Sequence, residues 1–224
     1  MIYTIGGIKG GTGKTTLATN LATMLTRAGR DVLLVDADDQ PTSTLFTAKR
    51  AETLGKSDYA AIRLREMDVF TQVQNMRDRF DDIIIDTGGR DTKSQRSALA
   101  VTDTYILPFR PRSFDVWTIQ DVVNVITEIR VIRPNIKALA VLSQTDSKGS
   151  EREDVRRLFL DDESIRHTLT FLDTPIGNRK SFANAASEGL SVVELKPRDP
   201  KAVEEIERFF RSVTGLEPEY KPKA

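Results

Sequence analysis

Apolar residues along this chain follow two alternating patterns. Short runs that are apolar almost throughout are typical of strands buried on both faces, and they predict strands at residues 2–5, 31–35, 83–85, 105–107, 138–142 and 169–172. Between these runs, apolar residues recur at the spacing of three and four positions that gives a helix one buried face. This spacing predicts helices at residues 15–28, at 116–129 with an end at Pro134, and at 201–213.

The alternation of buried strands with helices predicts the fold class. It favours a doubly wound α/β domain, in which helices cover both faces of a mostly parallel sheet. Ligands of such folds bind at the carboxyl ends of the strands, so we expect four loops to share one edge: residues 6–16, 36–44, 86–92 and 143–146. We expect a single domain over residues 1–214 and a polar, frayed tail over residues 215–224.

The composition excludes several classes of function. The chain has 224 residues, with 33 Lys and Arg against 33 Asp and Glu, so its net charge is zero and any attraction to nucleic acid needs a local patch. It has no cysteine, which excludes iron–sulfur clusters, thiolate zinc sites and cysteine nucleophiles. No apolar stretch approaches the roughly 18 residues of a membrane span, and no signal-peptide pattern opens the chain. We therefore expect a cytoplasmic protein that does not bind membranes.

A glycine-rich loop after the first predicted strand carries the clearest chemistry. Residues 9–16 read Lys-Gly-Gly-Thr-Gly-Lys-Thr-Thr. Glycines allow several backbone N–H groups to converge on a phosphate, and the N-terminus of the following helix adds positive potential. Lys14 is placed to reach the outer phosphates, and the Thr15 hydroxyl to hold a bridging Mg²⁺. The predicted phosphate contacts are Gly10, Gly11, Thr12, Gly13, Lys14, Thr15 and Thr16.

This loop is a variant of the common phosphate-binding motif. Ile8 occupies the position of that motif's first glycine, and Lys9 is an additional lysine. The alternative is an ordinary glycine-rich turn with surface lysines. The predicted strand before the loop and the predicted helix after it favour phosphate binding instead.

Two predicted strands end in aspartates at the same edge. Asp36 and Asp38 end the second predicted strand, and Asp86 ends the third. A carboxylate beside a phosphate loop can hold the water shell of Mg²⁺, so we assign Asp86 and, in support, Asp36 to the metal, together with Thr15. Asp38 lies one step further into its loop, where it could orient the attacking water. Aspartate also suits turns, which is the alternative for each residue taken alone.

Residues 9–16, the strand end at Asp36 and Asp38, and the strand end at Asp86, in that order, resemble the ParA/MinD class of deviant Walker ATPases. The resemblance runs from residue 1 to about residue 194 and implies a P-loop NTPase fold with ATP and Mg²⁺ as ligands. It also implies a homodimer in the ATP state, in which Lys9 crosses the interface to the partner's nucleotide. On this basis the catalytic residues are Lys9, Lys14 and Asp38. By fold position, we expect the adenine against Gln144, Thr145 and Asp146 and against Thr174, Pro175 and Ile176.

Features that this sequence lacks exclude several branches of the ParA/MinD class. Members that hold a cluster or zinc through cysteines are excluded. Two prolines near the C-terminus argue against the basic membrane helix of MinD relatives, which leaves the ParA branch. Because the chain begins at the first strand, we expect the small type without an N-terminal helix-turn-helix domain. Asp39 is a departure, since the family usually has proline before Gln40.

The ParA branch implies a partition ATPase that segregates plasmids or chromosomes. Its ATP dimer would bind non-specific double-stranded DNA on the nucleoid, and a ParB-like adaptor would stimulate a slow basal hydrolysis. Phosphate contacts need clustered cations, and the candidates are Arg179, Lys180, Lys196, Arg198, Lys201, Arg208 and Arg211. An ordinary solvated surface is the alternative for each of them. Arg90, Arg110 and Arg112 are candidates for a switch or interface role, and Trp117 for the core.

Two other functions stay open. A positioning ATPase for a protein cargo would use the same chemistry with a different adaptor. A metabolic P-loop synthase that phosphorylates a carboxylate would share the fold and a similar loop.

Overall fold

The structure is a computed structural model that describes residues 1–89, 92–111, 118–145 and 151–218. This part of the chain contains seven strands: β1 (Ile2–Ile5), β2 (Val32–Ala37), β3 (Ala60–Arg63), β4 (Asp82–Thr87), β5 (Thr104–Phe109), β6 (Lys137–Leu142) and β7 (Thr170–Leu172). They form one sheet in the order β3-β2-β4-β1-β5-β6-β7, and every neighbouring pair is parallel. The predicted doubly wound α/β fold is confirmed.

Helices follow the strands and cover both faces of the sheet. Those within the described residues are α1 (Lys14–Arg27), α2 (Thr42–Leu54), α3 (Met67–Met76), α4 (Lys93–Val101), α5 (Ile119–Arg130), α6 (Glu151–Asp161), α7 (Glu163–Thr168), α8 (Lys180–Ser187) and α9 (Pro200–Thr214). No helix in these ranges is long and apolar enough to cross a bilayer.

The central strands are buried on both faces because their residues alternate between two apolar layers. Leu34 of β2 and Ile84 of β4 pack in the layer that contains α1, α8 and α9. Their neighbours Leu33 and Ile83 pack in the opposite layer, with α3 and α4. A further cluster on β5 and β6 packs with α5, α6 and α7. Because helices cover both faces of the sheet, a ligand can reach the strands only at their ends, and in such folds it binds at the carboxyl ends.

The structure differs from the prediction at the sheet edge. Strand β3 was not predicted, because it is a four-residue edge strand in which Ala60, Ala61 and Arg63 are exposed. Helix α5 ends at Arg130, four residues before Pro134. Residues 116 and 117 and the end of the predicted tail, residues 219–224, lie outside the described residues.

Candidate functional site

The loop between β1 and α1 presents its backbone to an open cleft of about 690 Å³. Gly11 and Gly13 have φ values of 71° and 88°, which residues with a Cβ rarely adopt. No side chain among the described residues caps the first N–H groups of α1 at Gly13. These N–H groups, together with the positive end of the helix, suit a phosphate.

Residues from all four expected loops line this cleft. From the predicted set, the lining residues are Gly10, Gly11, Gly13, Lys14, Thr15, Thr16, Asp38 and Gln144. Asp36 and Asp86 are buried at adjoining strand ends, where they pair in register between β2 and β4. The parallel sheet therefore brings the phosphate loop and the three aspartates to one place.

Lys14 is buried and lies over its own loop. Its Nζ donates a hydrogen bond to the carbonyl of Lys9 at 2.7 Å. Burial lowers the pKa of Lys14, while the negative charges of Asp86 and Asp38 raise it. The ammonium group is thus held close to both carboxylates at the centre of the loop.

Asp86 is the least satisfied group of the site. Its side chain is buried, and neither carboxyl oxygen accepts a hydrogen bond of ordinary geometry within the described residues, although the Thr15 hydroxyl lies nearby. Burial raises the pKa of Asp86 to about 7, with Asp36 and Asp38 adding to the rise and Thr15 and Lys14 opposing it. A buried carboxylate beside a threonine hydroxyl is an oxygen-donor set that fits Mg²⁺.

Asp36 has a different environment from Asp86, because its oxygens are already engaged. Oδ2 accepts hydrogen bonds from the backbone N–H of Thr44 at 2.8 Å and from its hydroxyl at 2.6 Å. Oδ1 accepts from the N–H of Asp38 at 3.3 Å. Asp36 therefore anchors the first turn of α2, and its support of a metal stays a prediction.

Asp38 lies half-exposed at the cleft. Its Oδ1 accepts a hydrogen bond from the N–H of Gln40 at 3.2 Å. A Cβ on Gly88 would lie 3.0 Å from the same oxygen, so the carboxylate of Asp38 packs against the backbone after β4. This places a carboxylate between the two loops that follow β2 and β4.

Gly88 and Gly89 line the cleft, although the sequence reasoning gave them no role. A Cβ on Gly89 would lie only 2.6 Å from the backbone nitrogen of Gly10, so the two loops pack backbone against backbone. The signal in the sequence was a glycine pair directly after the strand that ends in Asp86.

Lys9 and Thr12 are not among the residues that line the main cleft. Both line a small separate pocket with Ile8 and Phe109, and the side chain of Lys9 is half-buried there. The Thr12 hydroxyl is buried and has no hydrogen-bond partner among the described residues. Only the backbone of Thr12 can therefore serve the predicted phosphate contact.

The predicted adenine residues lie where β6 and β7 end. Gln144, at a φ of 55°, donates from Nε2 to the carbonyl of Gly11 at 2.9 Å. Thr145 pairs with Gly177, which brings residues 174–178 alongside. Pro175 belongs to this segment but not to the lining of the main cleft, and its contact with adenine stays a prediction. Asp146 lies outside the described residues, as do Arg90, Arg112 and Trp117.

The predicted DNA-binding cations separate into two groups. Arg179, Arg208 and Arg211 form ion pairs with glutamates: Arg179 with Glu205, Arg208 with Glu204, and Arg211 with Glu207 and Glu217. Lys180, Lys196, Arg198 and Lys201 are exposed, and none of them forms an ion pair with another described residue. A carboxylate partly offsets the charge of each of the three arginines, and contact with DNA stays a prediction for all seven residues.

The family model of the CobQ/CobB/MinD/ParA nucleotide binding domain matches residues 3–193. The maintenance of carboxysome distribution protein A of Halothiobacillus neapolitanus is 28% identical over 213 residues, which are 93% of this chain and 94% of that protein. The protein of the same name from Gloeobacter kilaueensis is 25% identical over 198 residues, 88% of this chain and 85% of that protein.

A solved structure agrees with the fold. The ATP complex of a Cyanothece McdA variant superposes with a TM-score of 0.77 at 14% identity and covers 98% of both chains. At that identity the likeness speaks for the fold alone. Together with the family model and the arrangement of the phosphate loop, Asp36 and Asp86, it leads to one assignment: the chain belongs to the CobQ/CobB/MinD/ParA family of nucleotide-binding domains.

Proposed function

We propose that this chain is an ATPase that positions a large protein assembly in the cell, with ATP-dependent dimerisation and hydrolysis as its switch. The observation that carries the proposal is the similarity to a carboxysome-distribution protein along 93% of this chain and 94% of that protein. That similarity extends well beyond the phosphate loop, which many ATPases of unrelated purpose share.

The residues of the cleft support phosphoryl-transfer chemistry. The loop N–H groups and Lys14 would hold the phosphates, and Thr15 and Asp86 would hold Mg²⁺, which when bound offsets the charge on the transferred phosphoryl group. Asp38 would orient the attacking water, since its carboxylate lies at the cleft beside Lys14. Asp36 would keep the loop of Asp38 in place through α2.

The second copy of the chain would complete the site. Within one protomer, Lys9 lines a pocket outside the cleft, so we assign contact with the nucleotide to the partner subunit's Lys9. Positive charge supplied across an interface accelerates hydrolysis only when two subunits meet. Hydrolysis would then report on dimerisation.

Lys9→Ala and Lys14→Ala separate these two roles. We expect Lys14→Ala to abolish ATP binding, and Lys9→Ala to bind ATP but to remain monomeric. Lys137→Ala removes an exposed lysine at the amino ends of the strands, opposite the nucleotide site. It is the matched control and should dimerise normally. Light scattering with ATP and a fluorescent ATP analogue measure the two properties. Normal ATP dimers of Lys9→Ala would remove that lysine from its role.

The cargo is tested in the cells that make the protein. If the proposal holds, deleting the gene or introducing Asp38→Ala disperses or clumps a protein assembly and leaves plasmid and chromosome inheritance intact. DNA partition with a ParB-like adaptor is the alternative, and it requires the reverse outcome. Purified protein adds a third result: ATP turnover that depends on a small carboxylate substrate would indicate a synthase and contradict both positioning functions.

A further inference from the structure

The loop that carries Asp38 is held from the side by the end of strand β3. The N–H of Leu64 donates to the carbonyl of Asp36 at 3.0 Å and so extends the pairing of the two strands. Asp38 lies two residues after Asp36. The next residue, Asp39, is bound by Arg63 at the end of β3 and by Arg65 just after it. The end of β3 and the residues after it therefore form hydrogen bonds with the main chain both before and after Asp38.

Two arginines make the contacts at Asp39. Arg63 Nη2 donates to the backbone carbonyl of Asp39 at 2.8 Å, and Arg65 Nη2 donates to the same carbonyl at 3.2 Å. Arg65 Nη1 also donates to the Asp39 carboxylate Oδ1 at 2.5 Å. We call these three residues the Asp39 clamp. Two guanidinium groups thus converge on one carbonyl, and one of them binds the side chain as well.

The charged groups of the Asp39 clamp are too exposed for the clamp to stabilise the fold. The side chain of Arg65 is 46% exposed and that of Asp39 is 83% exposed. Isolated ion pairs with such exposure add little to stability, so the clamp is a poor device for holding the fold together. Its contact with a backbone carbonyl, by contrast, fixes the path of the loop next to Asp38.

Neither arginine belongs to the lining of the cleft, whereas Asp38 and Asp39 do. The arginines are therefore placed to act on the nucleotide site only through the loop. The carboxylate of Asp38 accepts a hydrogen bond from the N–H of Gln40, which follows Asp39 directly, so a displacement of Asp39 also displaces this donor to Asp38.

We propose that Arg63 and Arg65 are positioning residues for ATP hydrolysis, which hold Asp38 at the attacking water by clamping the main chain at Asp39. The proposal rests on the role assigned to Asp38 above. A group that is displaced by a fraction of an ångström loses catalytic rate while ATP binding is unaffected. The clamp should therefore control kcat and not the affinity for ATP.

The first test compares Arg63→Ala and Arg65→Ala with the wild-type chain. We expect kcat to fall about 3- to 10-fold in each, with KM for ATP and the thermal midpoint unchanged, and Arg65→Lys to restore part of the loss. The matched control is Arg77→Ala. Arg77 is 45% exposed and binds the Asp103 carboxylate at 3.0 Å, at the amino ends of the strands and so away from the cleft. An unchanged kcat, or a change in KM alone, would overturn the proposal.

The second test combines Arg65→Ala with Asp38→Ala and measures single-turnover hydrolysis. If the arginine acts through Asp38, it has no further effect once Asp38 is absent, and the double variant hydrolyses ATP at the rate of Asp38→Ala. An additional loss in the double variant would show that Arg65 acts independently and would overturn the clamp. If Asp38→Ala itself keeps the wild-type rate, the role assigned to Asp38 fails, which is a distinguishable result.

Discussion

At the scale of single residues, two aspartates lie side by side and have different tasks. Asp36 and Asp86 are register partners on neighbouring strands, and both are buried. Asp36 accepts hydrogen bonds from Thr44 and from the backbone of its own loop, whereas Asp86 has no such donors among the described residues. Asp36 therefore stabilises the local structure, whereas the carboxylate of Asp86 can bind a cation.

Asp86 makes the stability of the metal-free protein depend on pH. Its pKa is about 7 in the fold, against 3.8 for a free aspartate. Between these values the folded chain holds a proton that the unfolded chain has released, so stability falls as the pH rises from about 4 to 7 and then levels off. We expect Asp86→Asn to remove this loss, which is on the order of 3 to 4 kcal/mol.

Urea unfolding of both chains without Mg²⁺, at several pH values, measures this effect. The difference in unfolding free energy, variant minus wild type, should increase from pH 4 to pH 7. Titrating groups that do not interact with Asp86 cancel in that difference. A difference that does not change over this range would show that Asp86 is not destabilised by its burial.

At the scale of elements, a buried ion pair joins α2 to the segment before Glu194. The guanidinium of Arg50 is almost fully buried and binds Glu194 through Nη1 at 2.6 Å and Nη2 at 2.9 Å. Arg50 Nη1 also donates to the carbonyl of Gly189 at 3.2 Å. A Cβ on Gly189, whose φ is 66°, would lie 2.2 Å from the Arg50 nitrogen. Helix α2, whose first turn is bound to Asp36 through Thr44, is thereby fixed to the C-terminal part of the chain.

Removing one partner of this pair should be costly. We expect Arg50→Ala to lower the free energy of unfolding by about 3 kcal/mol, because Glu194 stays buried and keeps only Arg27, at 3.7 Å, as a countercharge. Arg96→Ala is the control: it breaks an exposed pair with Glu128 and should cost about 1 kcal/mol or less. Denaturant titration with tryptophan fluorescence or circular dichroism gives both values. Equal losses in the two variants would contradict the assignment.

Some elements of the structure could be predicted from the sequence, and others could not. The central strands were predictable because both faces of each are apolar, and the phosphate loop because its glycines and Lys14 are local in sequence. Strand β3 was not, since an exposed edge strand needs no apolar run. The bond between Arg50 and Glu194 spans 144 residues, and only the folded chain shows which of many charges meet. The Asp39 clamp was hidden for the same reason.

At the scale of the whole molecule, a neutral chain needs a local cluster of cations to hold DNA. Ser181 Oγ donates to Asp199 Oδ2 at 2.9 Å and so joins the N-termini of α8 and α9. Lys180, Arg198 and Lys201 are exposed cations within two positions of these residues in the sequence. Clustered cations suit phosphate groups, whereas the first N–H groups of α9 are already bound by Asp199 Oδ1. The arginines further along α9 face glutamates of their own helix instead.

This division predicts which cations would contribute to the binding of DNA that the sequence leads us to expect. We expect Arg198→Ala with Lys201→Ala to weaken binding of the ATP-bound protein to non-specific double-stranded DNA about 10-fold, and to reduce the slope of log affinity against log salt by about 2 per protomer. Arg208→Ala with Arg211→Ala removes the same amount of charge, from within α9, yet those side chains already pair with glutamates, so the effect should be much smaller. Co-sedimentation at several salt concentrations compares them. Equal losses in both pairs would mean that only net charge counts, and that no patch at the two helix N-termini exists.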